Sequence, residues 1–168
     1  MLPSWRDVAV LCATALLLGW ANQAHGQPTL KGPIDGLLVS DPATPGFMSF
    51  FGSGHLTLMG AVAVRAEFQF VPGNVPGTLQ GVGIAAIVAA NGDVLVSNVR
   101  WVIDPSGQGK LEFRWPGVIT FQDGTVVAST GRFTSLPFGG LRGTSTLLGS
   151  GKTRLTMTGE IVDPDPLD

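Results

Sequence analysis

From Leu56 to Phe70 the chain alternates with a period of two. Even positions carry Leu56, Leu58, Gly60, Val62, Val64, Ala66, Phe68 and Phe70; odd positions carry Thr57, Met59, Ala61, Ala63, Arg65, Glu67 and Gln69. Side chains of a strand point to opposite faces in turn, so a run of this kind buries one face only as β-structure. The phase survives Gly60, which reads as one long strand bent at the glycine, or two strands continuous in direction. The same period recurs along the rest of the chain, and no later segment has the 3.6-residue spacing of an amphipathic helix. Composition agrees: 24 glycines, 12 prolines and only 13% charged residues exclude a coiled coil or helical bundle. Low charge with many β-branched and aromatic residues is also the reverse of a disordered chain. A net charge of −2 gives no electrostatic footprint for nucleic acid.

Residues 1–26 differ in character from the rest of the chain. Arg6 precedes an apolar run from Val8 to Leu18, and Ala24 and Gly26 stand where a signal peptidase requires small residues. The run is too short to span a hydrocarbon layer of about 30 Å. It reads as a signal peptide cleaved near Gly26, which leaves Gln27 as the new N-terminus and sends the protein out of the cytoplasm, secreted or periplasmic. A retained anchor is the competing reading. Cys12, the only cysteine, lies inside the apolar run, so the mature chain holds no disulfide and no thiolate ligand.

Residues 27–46 are rich in proline and glycine and read as an N-terminal arm with one short apolar run, Leu37-Leu38-Val39. Residues 163–168, Asp-Pro-Asp-Pro-Leu-Asp, read as an acidic, proline-broken tail. The domain lies between them, at 47–162. Leu79 to Ala90 is apolar on both faces. Asn91-Gly92 turns it into Asp93 to Asp104, a strong hairpin signal. Strands then follow over Lys110 to Phe121, Thr125 to Phe133, Leu141 to Leu148 and Thr153 to Val162. Long strands in meander order with no covering helix must close on themselves or stack. The expectation is an all-β fold, a closed antiparallel barrel of about eight strands of the calycin kind, with a two-sheet sandwich as the alternative.

Motifs that carry chemistry are few. Gly149-Ser150-Gly151-Lys152-Thr153 resembles the end of a phosphate loop, but Thr146 replaces the required glycine and a strand follows it. His55, the sole histidine after residue 26, is a candidate general base at a barrel mouth or a turn-packing side chain. Glu67 and Glu112 lie two residues from Arg65 and Arg114, on shared strand faces. They are surface ion pairs if those faces point outward, and candidate catalytic carboxylates if they point inward. Trp101, Phe113 and Trp115 are the candidate lining of a ligand cavity. No spacing of ligands suits a metal, and no cofactor motif is present.

Gly54-His55-Leu56-Thr57, Ala89-Ala90-Asn91-Gly92-Asp93-Val94-Leu95 and Ser129-Thr130-Gly131-Arg132-Phe133 together resemble, in order and spacing, secreted bacterial relatives of the allene oxide cyclase and dirigent-type β-barrels. The resemblance spans about Phe51 to Val162. It implies an eight-stranded, often oligomeric barrel with an interior suited to small apolar molecules. No cyclase or dirigent catalytic residue matches a position here, so it carries fold and cavity rather than activity.

The expected function is a small apolar ligand-binding or structural module, with a cyclase- or isomerase-like enzyme as the alternative. An interior lined by convergent His, Glu or Arg favours the enzyme; a filled apolar core favours the module. An outer-membrane barrel is disfavoured by the absence of tyrosine for an aromatic girdle. Val82, Ile84 and Val88 give the 79–90 strand a second apolar face, from which a homo-oligomer is expected, with the arm or a lipid surface as other covers.

Overall fold

The computed structural model describes residues 29–134 and 140–160. Eight antiparallel strands close into a barrel: β1 (Thr29–Ser40), β2 (Phe47–Leu56), β3 (Gly60–Pro72), β4 (Leu79–Ala89), β5 (Val94–Ile103), β6 (Gln108–Arg114), β9 (Gly140–Gly149) and β10 (Lys152–Glu160). Each strand pairs with its neighbours in chain order, and β1 closes the ring between β10 and β2. A separate two-stranded hairpin, β7 (Val118–Thr120) and β8 (Val126–Ala128), interrupts the meander between β6 and β9. The fold is all-β and closed. It is not the two-sheet sandwich.

Four boundaries differ from those the sequence pattern predicts. Thr29–Ser40 is a full wall strand rather than part of an arm; its first half pairs with β10 and its second half with β2. Its alternation places Leu30 and Ile34 in the core despite the intervening Gly32-Pro33. The run from Leu56 to Phe70 is not one strand. The chain reverses at Thr57-Leu58-Met59, so that Leu56 pairs with Gly60, and Leu58 (φ 69°) and Gly60 (φ 71°) both take left-handed backbone. Period-2 phase is blind to such a turn, because the turn keeps both arms in step. Lys110 to Phe121 breaks after Arg114, where Trp115-Pro116-Gly117 leaves the wall; proline cannot donate to a ladder. Thr125 to Phe133 shrinks to β8 and a single 3₁₀ turn at Gly131–Phe133. The leader, the 135–139 loop and the acidic tail lie outside the described residues.

Inward positions fill the barrel with apolar side chains. Phe68, Phe70 and Trp101 pack edge to tilted face, their ring centres 5.1 to 5.7 Å apart. Glycines make the room: Gly36 on the adjacent strand and Gly52 on the same strand lie under the Phe50 ring, Gly81 of β4 under Phe70 and Gly83 of β4 against Phe68. A large residue facing no side chain on its neighbour is how a narrow barrel reaches close packing.

Candidate functional site

The barrel interior offers no acid–base chemistry among the described residues. Its buried polar side chains are Ser97, Ser145 and Thr153, and the Trp101 Nε1–H donates to Ser145 Oγ at 2.8 Å. Trp101 and Phe113 are core residues, whereas Trp115 is half-buried at the barrel end. His55 is exposed on the outer face of β2, opposite Ala61. Glu67 lies six residues further along β3, about 20 Å away at strand rise. Glu112 is exposed on the outer face of β6, three strands from Glu67. The three candidate catalytic residues are therefore not brought together.

Glu67 occupies an outward position and is nonetheless only 6% exposed. The cause is the β7–β8 hairpin. Its Ile119 and Phe121 pack with Ala86 and Val96 on the outside of the wall, with Ile84, Val94 and Val127 at the margin. One side of the hairpin is held by charge. Arg65 Nη2 donates to Glu67 Oε1 at 2.8 Å and to Asp123 Oδ2 at 2.9 Å, while the Gln122 amide donates to Glu67 Oε2 at 2.7 Å. The guanidinium also lies 4.1 Å from the centre of the Phe121 ring. Asp123 is held down to about 2, chiefly by the side chain and amide of Thr125 and then by Arg65. Burial lowers the Arg65 affinity for its proton, but hydrogen bonds to Glu67 and Asp123 more than offset that and raise it.

The other edge of the excursion is sewn to β5. Val94 N–H donates to Thr130 Oγ1 at 2.9 Å, Thr130 N–H to the Val94 carbonyl at 2.9 Å, and Val96 N–H to Ser129 Oγ at 3.2 Å. These bonds satisfy β5 where β6 has already ended. Of the residues from Ser129 to Phe133 that carry the family resemblance, Ser129 and Thr130 thus have a structural use.

Two concave surfaces result. The first is an apolar groove of about 420 Å³ between the hairpin and the wall, lined by Phe51, Ala63, Val88, Phe121 and Val127, with Arg65 at one end. The Arg65 Nε–H itself is buried without a hydrogen-bond partner. The second is a polar cleft of about 550 Å³ on the outside of β5, β6 and β9, lined by Asn98, Glu112, Arg114, Trp115 and Arg142. Sequence reasoning placed Lys110 to Phe121 in the wall and so missed both; the Pro116-Gly117 break was the available signal. Among the described residues no group of three His, Cys, Asp or Glu side chains could hold a metal ion. No family model, no curated protein and no solved structure matches this chain.

Proposed function

We propose that this chain is an exported, noncatalytic β-barrel that binds a small apolar molecule on its outer wall, in the groove under the β7–β8 hairpin. One observation carries the reading: the interior is packed solid with Phe68, Phe70 and Trp101, while an apolar groove of ligand size lies open outside. Arg65, the charged residue of the lining, has its guanidinium committed to Glu67 and Asp123, so what the groove offers a ligand is chiefly apolar contact. Glu67 and Asp123 outnumber Arg65 beside it, which disfavours an anionic head group. Exposed Phe51 and Leu37, paired on adjacent strands, extend the apolar surface beyond the groove. Export rests on the apolar leader and its small-residue cleavage site. Kinship with the allene oxide cyclase and dirigent barrels is supported by the three matching stretches and by the eight-stranded wall, and by nothing catalytic.

The competing cyclase- or isomerase-like reading needs a cavity with converging acid and base, and the separation of His55, Glu67 and Glu112 weighs against it. The homo-oligomer expected from the 79–90 face has a narrower basis than its sequence suggests, because the hairpin takes Ile84 and Ala86. Binding of the uncharged fluorophore N-phenyl-1-naphthylamine tests the groove. Saturable binding that Ala63→Phe abolishes, with the melting transition unchanged, is expected. Binding that survives Ala63→Phe, or none at all in the parent chain, overturns the reading.

A further inference from the structure

We propose that the arginine-lined cleft on the outside of β5, β6 and β9 is the docking site of this chain's own acidic segment, Asp163-Pro164-Asp165-Pro166-Leu167-Asp168. Cross-strand register sets up the cleft. Arg100, Glu112 and Arg142 stand side by side across β5, β6 and β9, and Arg114 lies two residues beyond Glu112, opposite Asn98. The adjoining concavity shares Asn98, Glu112 and Arg114 and adds Arg100, so the two form one surface. Three guanidiniums surround one carboxylate, an excess of two positive charges. Arg114 and Arg142 form no ion pair with any described residue, and Glu112 bonds to none of the three. Among the described residues Arg100 is engaged only by Gln80, whose side-chain oxygen, with the amide turned toward it, accepts from Nε and Nη2.

Chain geometry brings the acidic segment to this place. β9 and β10 are antiparallel, so β10 runs back toward the end of the barrel where Gly140, Arg114 and Trp115 lie; Thr158 stands opposite Arg142. The described chain ends at Glu160, two residues further on. Seven residues separate Thr158 from Asp165, a reach of up to about 23 Å. Arg100 lies three strands from β10, roughly 14 Å at ordinary strand spacing. The span is covered with chain to spare. Asp163 and Asp165 alternate with prolines, which favour an extended backbone that presents carboxylates at regular intervals. Half-buried Trp115 offers those prolines an apolar wall. Three aspartates meeting a net charge of +2 make the match electrostatic, and tethering supplies a high effective concentration.

The experiment is a spin-label distance measurement on the full chain carrying Cys12→Ser, with labels at Leu167→Cys and at Thr144→Cys, an exposed position on β9 beside the cleft. At low ionic strength a single short, narrow distance is expected. It should be lost in 1 M salt, where screening reduces the Debye length to about 3 Å. It should also be lost in the Arg114→Gln/Arg142→Gln variant and in the variant with Asp163, Asp165 and Asp168 all changed to asparagine. Circular dichroism melts of these variants should match the parent, showing that the barrel is intact. A broad distribution under every condition overturns the proposal. So does a short distance that survives the arginine substitutions. A short distance found in a mixture of singly labelled chains would assign the cleft to the segment of another copy and would overturn docking within one chain.

Discussion

Phe68 shows how this barrel uses its glycines. The ring is 3% exposed, lies against Gly83 of the neighbouring strand and meets Trp101 at 5.1 Å. Removing it leaves a void that a closed wall cannot collapse around, so Phe68→Ala is expected to cost about 3–5 kcal/mol in denaturant unfolding. The reciprocal substitution fails for the opposite reason. A side chain at Gly81 would enter the Phe70 ring, and Gly81→Val is expected to cost about 1–3 kcal/mol by overpacking. Leu58 has the converse problem: its φ of 69° lies in left-handed backbone that a branched side chain resists. Leu58→Gly should therefore raise the unfolding free energy by about 1 kcal/mol, measured the same way.

At the scale of elements, the β7–β8 hairpin has an acid-labile anchor. Asp123 titrates near 2 in the folded protein against an ordinary 3.8, so its contribution to docking is complete above about 4 and lost as the pH falls toward 2. Amide exchange at Gln122 and Thr125 should therefore quicken over that window before the wall strands respond. In Asp123→Asn the part of the acid dependence that belongs to Asp123 should be gone and exchange should be quicker at neutral pH; exchange as slow as the parent's in this variant would show that apolar packing and the Glu67–Gln122 bond hold the hairpin without Asp123. None of this was legible in the period-2 pattern. Ile119, Phe121 and Val127 alternate like wall residues, and local phase does not say which sheet a strand joins. What marked the departure was Pro116-Gly117, a chemical interruption rather than a periodic one. The Asn91-Gly92 hairpin was legible for the complementary reason. Its turn is closed locally, by Gly92 N–H to the Ala89 carbonyl at 2.9 Å and by Asn91 and Asp93 side chains bonded to each other. The 79–90 strand lay between these cases: its two apolar faces were plain, but the cover over the outer one comes from more than 30 residues further along the chain. Of the candidate site, Glu67 and Trp115 were legible as residues, while the groove and cleft that give them surroundings depended on the misplaced hairpin.

Across the described molecule polarity is divided between the two faces of the wall. Lys31, Asp35, Arg100, Lys110, Glu112, Arg142 and Arg154 are all exposed on outward positions, and the interior is apolar. A barrel that crosses a membrane has the reverse arrangement, an apolar band outside and polar residues within. The described wall does not show that arrangement, and one apolar strip on its outside is covered. That strip is the outer face of β4 and the start of β5, where Ala86 and Val96 are buried only because Ile119 and Phe121 sit on them. Val82, 57% exposed, lies between Gln69 and Arg100 and makes no continuous patch. With the hairpin in place a contact between copies has little apolar area to use on this face. Light scattering of the parent chain at micromolar concentration is expected to give a monomer mass. Phe121→Ser should release the hairpin and bare Ile84, Ala86, Val96 and Val88 together, a contiguous patch of the kind that monomers seldom expose. That variant should self-associate while keeping the β-sheet circular dichroism of the parent. An oligomer already present in the parent, unaltered by Phe121→Ser, would show that copies meet on another face and that the hairpin is not what keeps the barrel single.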